Sequence, residues 1–387
     1  MTQLNRSVTP HLRKKLSQGM LTLIALVLCL ALPWVQVEAP VQAKEVDVAQ
    51  TTAHHSFFFP PYQHYQNRAG FVKTSGHDTT ILQAGWYSDG AYNDQSVDTV
   101  NLPYARTIAL TTQHVENDPG NGQCQAATGF HHVVNATPDQ DLLDAVQAHP
   151  GSLWLIGRTP YSYFTGGPIH PHLYAEIYHH YYQAIKMVDP TAKVAVGTIS
   201  QASPSRLAYL DQVLGHYQNM FDEPLKSDLW AVNLYYLNEE DCQSGAWGAA
   251  LPPATNETQG WQVDFAADSL LDLTALEDSV RLFREWMHRH SQSDLPLMIM
   301  EYGVLPPAEM AGFEDEVAAQ FLQETFTLFE SLTDAEIGLA SDDDRLVQLW
   351  SWYPTYHPNF GGRLFTDTSE NLTLVGNAFV DYGQNNR

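Results

Sequence analysis

In the last third of the chain, the apolar run Leu297-Met298-Ile299-Met300 is followed directly by Glu301, Tyr302 and Gly303. A carboxylate at the end of a wholly apolar strand is costly to desolvate unless a function or a partner compensates. Glu301 is therefore the first candidate for chemistry, as a nucleophile or as one half of an ion pair. Other apolar runs end in groups of similar use. Trp86, Tyr87, Ser88 and Asp89 close the run from Ile81, and Arg158 and Thr159 follow Leu153–Gly157. Asn233, Tyr235 and Tyr236 close the run from Leu229, and Trp350, Trp352 and Tyr353 the run from Leu346. Trp and Tyr offer a flat apolar face with a polar tip, which suits the C–H faces and hydroxyls of a sugar. The candidate catalytic residue is Glu301, and the candidate substrate contacts are Trp86, Arg158, Thr159, Asn233, Tyr235, Tyr302 and Trp352.

A repeated strand–helix unit has to position these groups. Turn and periodicity signals predict strands at Ile81 onward, Tyr104–Thr111, Leu153–Gly157, Val194–Thr198, Leu229–Tyr235, Leu297–Met300 and Leu346–Trp352, and an eighth strand is sought between Gly120 and Asn135. Helices are expected over Pro138–Ala148, Pro171–Val188, Pro204–Gln218, Thr274–His290 and Glu314–Ser331, with a last one near Leu374–Tyr382. Such alternation predicts an α/β fold, a (β/α)8 TIM barrel over residues 81–387, whose strand C-termini share one face. An open doubly wound sheet would want a Gly-rich phosphate loop after its first strand, and the sequence has none there.

Before the barrel, Arg6, Arg13, Lys14 and Lys15 precede an apolar run from Met20 to Val35, and Val41-Gln42-Ala43 fits a cleavage site. Residues 1–43 read as a signal peptide, with an uncleaved N-terminal anchor as the alternative because the run approaches the roughly 18 residues that span a bilayer. Residues 44–80, with His54-His55, Phe57-Phe58-Phe59 and Pro60-Pro61, lack periodicity and read as a linker or N-terminal extension. The expected location is secreted, cell-surface or periplasmic. The chain's formal charge is −25, which disfavours nucleic acid and acidic membrane surfaces and favours a neutral polysaccharide or oligosaccharide. In an oxidising compartment Cys124 and Cys242 are candidates for a disulfide, with two unrelated thiols as the alternative. The adjacent pairs His131-His132 and His179-His180 lack a spaced carboxylate, so neither metal nor cofactor is expected.

Several segments together carry a resemblance. Pro150–Gly157 (PGSLWLIG), Asp189–Val196 (DPTAKVAV), Trp247-Gly248 with Pro252-Pro253, Glu301-Tyr302-Gly303 and Arg345-Leu346-Val347-Gln348 resemble clan A glycoside hydrolases. Within that clan they are most similar to exported bacterial glycosyl hydrolases with a PGSLWLIGNEP-type core. The resemblance covers residues 81–383. It implies a retaining mechanism with two carboxylates about 5–5.5 Å apart, Glu301 in the nucleophile position, the acid/base Glu in an Asn-Glu pair after the fourth strand, and a Trp under the sugar ring at Trp352.

This chain departs from that pattern, because Arg158-Thr159 stand where the Asn-Glu pair belongs. A threonine hydroxyl does not titrate usefully, and loss of a positioned acid costs about 10²–10⁴-fold in rate. Arg158 is expected to occupy Glu301 in a salt bridge. Asn233-Leu234-Tyr235 stands where many clan A enzymes have His-x-Tyr. The expectation is a carbohydrate-binding pseudoenzyme or an impaired glycosidase. The alternatives are an active retaining O-glycosidase using Asp89, Glu239, Glu240 or Asp241 as a loop substitute, and an anchored scaffold with no sugar ligand.

Overall fold

Runs such as Leu153-Trp154-Leu155-Ile156 and Trp230-Ala231-Val232 are apolar on both faces, so they are stable as strands covered on both sides. The computed structural model describes residues 67–93, 102–114, 131–160, 169–235, 237–240, 248–255, 260–262, 270–367 and 369–385. Eight parallel barrel strands lie among them: β1 Ala69–Val72, β2 Trp86–Ser88, β3 Ala105–Ile108, β4 Leu153–Ile156, β5 Lys193–Val196, β6 Trp230–Asn233, β7 Leu297–Tyr302 and β8 Leu349–Trp352.

Their pairings close into a ring. One ladder runs β2-β1-β8-β7-β6 and a second runs β3-β4-β5. Parallel bridges at Tyr87↔Tyr104 and Ala195↔Leu229 join β2 to β3 and β5 to β6, with Tyr87 N donating to Pro103 O and Asp228 N to Val194 O. The fold is a (β/α)8 barrel.

Among the described residues six helices follow the later strands: α1 Gln140–Ala148, α2 Pro171–Val188, α3 Pro204–Phe221, α4 Thr274–Arg289, α5 Asp315–Ser331 and α6 Leu374–Asn385. Proline at the first turn starts α2 and α3, where its missing N–H is no loss. Asp139 caps α1 by accepting from Leu142 N at 2.9 Å. No helix among the described residues is long and apolar enough to cross a membrane.

The barrel starts earlier than the sequence suggests. β1 lies inside the segment 44–80 read as linker, and it pairs with both β2 and β8. It escapes periodicity because it is four residues long and contains Gly70. The stretch at Ile81 forms instead a 3-10 turn, Thr79–Leu82, capped by Asp78. The short strand His131–Val133 pairs antiparallel with Thr112–His114 outside the ring, so the eighth barrel strand sought there is β1.

Alternation sorts the strand residues into two layers. Trp86, Ala105, Leu153, Leu155, Ala195, Leu229, Ala231, Met298, Met300 and Leu349 form one apolar cluster, which fills the barrel. Trp154, Ile156, Val194, Trp230, Val232, Ile299, Trp350 and Trp352 belong to the other, packed against the helices. At the N-terminal end, Arg68 grips Asp342 with two contacts of 2.6 Å. Gln348 joins them by donating to Asp342 Oδ2 at 3.3 Å and accepting from Arg284 and from Leu297 N.

Gly70 makes room for the interior indole of Trp86, since a Cβ there would lie 2.5 Å from Trp86 Cδ2 and Cε2. Gly70→Ala is expected to destabilise the fold by about 1–3 kcal/mol through overpacking. In denaturant unfolding the cost should shrink in a Trp86→Leu background, and strict additivity would contradict the contact.

Candidate functional site

Strict alternation along β7 would turn Glu301 toward the helices. Met298 and Met300 face the barrel interior and Ile299 faces out, so the next residue should face out as well. The pairing shifts here. β7 has irregular register against β6 between Ile299 and Glu301, and against β8 between Ile299 and Tyr302. The extra residue turns Glu301 opposite Asn233 and sends Tyr302 outward.

The Glu301 side chain is 8 % exposed. Oε1 takes Arg158 Nη2 at 2.8 Å and Nε at 3.1 Å. Oε2 accepts from Asn233 Nδ2 at 3.2 Å and from the Tyr235 hydroxyl at 3.3 Å. The structure thus brings Arg158, Asn233 and Tyr235 together around Glu301. The carboxylate raises the affinity of Arg158 for its proton. Burial first, and Glu301 next, push the Tyr235 phenol well above its ordinary range, so it stays a donor. The same two causes raise Tyr353, whose ring meets Tyr235 edge-on at 6.2 Å.

Arg158 owes its aim to an unusual backbone. Gly157 has φ +86° and Thr159 φ +42°, a region that a β-branched residue adopts only under strain. The guanidinium lies over Gly90, where a Cβ would stand 3.0 Å from Nη1. Thr159 itself is buried.

Three expected sugar contacts are corrected. Trp86, Tyr302 and Trp352 are each 0 % exposed. Trp86 fills the barrel and donates its indole N–H to Arg68 O at the N-terminal end. Tyr302 points into the helix layer, its hydroxyl bonded to Thr325 on α5. Trp352 packs against Tyr302 and Phe321 and donates to Gly362 O at 2.6 Å. The ring that faces Glu301 from this strand is Tyr353, one residue later. Counting in twos from the inward Leu349 reaches Ser351 and then Tyr353, a signal present in the sequence.

Two of the loop carboxylates are already occupied. Asp89 accepts from the Tyr104 hydroxyl and from Ala91 N. Glu239 is 0 % exposed and pairs with buried Arg206 at 2.5 Å. It also accepts from Ser203 at 2.7 Å and from Trp261 N at 3.1 Å. That cluster ties the β6–α4 connection to the start of α3, and turns the Glu239 carboxylate into the interior instead of toward a ligand. The side chain of Glu240, and Asp241, Tyr236, Trp247, Cys124 and Cys242 as a whole, lie outside the described residues. His179 bonds Tyr217 and stacks on Phe221 at 3.7 Å, a packing role.

No family model matches the chain and no curated protein matches its sequence. Solved structures are similar at low identity. A GH128 (subgroup II) endo-β-1,3-glucanase from Sorangium cellulosum is 13% identical with TM-score 0.47, over 81% of this chain and 97% of that one. A GH128 (subgroup VII) oligosaccharide-binding protein from Cryptococcus neoformans is 13% identical with TM-score 0.47, over 84% and 96%. A GH128 (subgroup I) endo-β-1,3-glucanase from Amycolatopsis mediterranei, in complex with laminaritriose, is 12% identical with TM-score 0.49, over 81% and 99%. Likeness at this depth says nothing about activity.

Glu239→Ala removes the carboxylate that faces the fully buried Arg206 charge. It is expected to destabilise the protein by about 3–5 kcal/mol, and a loss below about 1 kcal/mol in denaturant unfolding would show that the pair is dispensable.

Proposed function

We propose that the chain is an exported carbohydrate-binding protein on a glycoside-hydrolase-type barrel, in which Glu301 anchors a sugar instead of attacking it. The observation that carries this reading is the 2.8 Å contact between Arg158 Nη2 and Glu301 Oε1. In a retaining glycosidase this carboxylate attacks the anomeric carbon while a second carboxyl protonates the leaving oxygen. Here Oε1 is bound by a guanidinium and Oε2 by an amide and a phenol. Among the described residues, the groups touching Glu301 include no second carboxyl. Arg158, Asn233, Tyr235 and Tyr353 offer N–H and O–H groups to sugar hydroxyls, and the acidic net charge favours a neutral ligand.

Aryl glycosides with activated leaving groups test this directly, because they need no general acid for glycosylation. The parent protein is expected to release no nitrophenol while binding glycans on an array. Release that disappears in Glu301→Gln would favour an impaired glycosidase. Export belongs to the same reading: protein recovered outside the cytoplasm should begin after Ala43, and an intact Met1 on such protein would support the anchor instead.

A further inference from the structure

The rings at the site continue beyond the ion pair. Tyr235 starts the line, with its hydroxyl on Glu301 Oε2. Its ring meets Tyr353 at 6.2 Å and 85°. Tyr353 meets Phe360 at 6.1 Å and 52°. Phe360 then stacks on His357 at 3.8 Å and 18°. All four side chains are partly exposed. Three ring-to-ring steps therefore run from Tyr235, at the carboxylate, through Tyr353 to Phe360 and His357 of the β8–α6 connection.

That connection is held rigidly. Tyr353 N donates to Tyr302 O at 2.8 Å, Gly361 N to Pro306 O at 3.0 Å and Gly362 N to Val304 O at 2.9 Å. Gly303 lets the two segments touch, since a Cβ there would lie 2.0 Å from Tyr353 O. Rings fixed before a ligand arrives lose little freedom on binding, which favours affinity. Covering Trp352 does not account for the line, because Tyr302, Phe321 and the Gly362 carbonyl already enclose that indole.

We propose that this line is an extended glycan platform and that the ligand is an oligosaccharide. One unit lies at Glu301 and Arg158, and further units lie over Tyr353 toward the Phe360–His357 stack. The inference rests on the carbohydrate reading above and adds its direction and minimum length. Apolar sugar faces suit the rings, and the phenol tips suit the hydroxyls. Burial lowers the His357 pKa from its ordinary value, so the imidazole stays uncharged near neutrality and extends the aromatic surface.

The test is calorimetric titration with gluco-oligosaccharides of one to six units, in β-1,3 and β-1,4 series, against the parent, Phe360→Ala and His357→Ala. Matching thermal melts identify the variants that are folded, and His357→Ala carries the test if Phe360→Ala does not fold. Affinity of the parent is expected to rise roughly tenfold from monosaccharide to trisaccharide, the scale of one or two aromatic contacts. The variants should flatten that rise. A parent indifferent to chain length, or a rise unchanged in the folded variants, overturns the platform and leaves the carbohydrate reading standing. Binding of no member of either series, and of no glycan on the array, overturns both.

Discussion

A carboxylate withdrawn from water at the mouth of an apolar barrel has to be matched by charge or by hydrogen bonds, or the fold bears several kcal/mol of uncompensated desolvation. Glu301 is matched on both oxygens, by Arg158 on one and by Asn233 and Tyr235 on the other. This requirement reaches three strands. Asn233 ends β6, Arg158 follows β4, and the irregularity in β7 is what turns the carboxylate toward both. The same irregularity sends Tyr302 outward, where it meets Trp352 and three phenylalanines of α5. The site and the adjoining wall of the core therefore depend on one local shift of register.

Much of this was legible from residue order. Long helices with regular apolar stripes, separated by four-residue apolar runs, leave few arrangements besides a ring of parallel strands. Once the strands are parallel, the residues at and just after their ends share a face, which groups Glu301, Arg158, Asn233 and Tyr235 from residue order alone. Two features were not legible. β1 is too short and too glycine-bearing to show a period. The β7 irregularity adds one residue without any glycine or proline to mark it, so the orientation of Glu301 and Tyr302 could not be read by counting. Trp352 differs for another reason: the resemblance implies a Trp under the sugar ring there, whereas two-residue alternation from the inward Leu349 turns it outward.

The segments that carry the resemblance to glycoside hydrolases are partly structural. Asp189 accepts from Gly151 N at 2.7 Å and from Thr191 N at 2.9 Å, and Lys193 N donates to Ser152 O. The PGS and DPTAK stretches thus form one joint where β4 and β5 begin. Gln348 belongs to the Arg68–Asp342 network at the same end of the barrel. Conformity in these segments argues for the scaffold, whereas chemistry has to be argued from the opposite face. That face holds the departure from the pattern, at Arg158 and Thr159.

Backbone strain points the same way. A β-branched residue at positive φ costs about 1–3 kcal/mol and persists only where its surroundings enforce it. Thr159 is such a residue, and it is buried. Its side chain supplies no titratable group. What the local conformation accomplishes is to direct Arg158 across the barrel mouth, over Gly90 and onto Glu301. Arg158 is one-third exposed, which weakens the pair through solvent screening and keeps part of the guanidinium within reach of a ligand. The strained turn thus delivers a cation to the Glu301 carboxylate, beside rings already fixed in place.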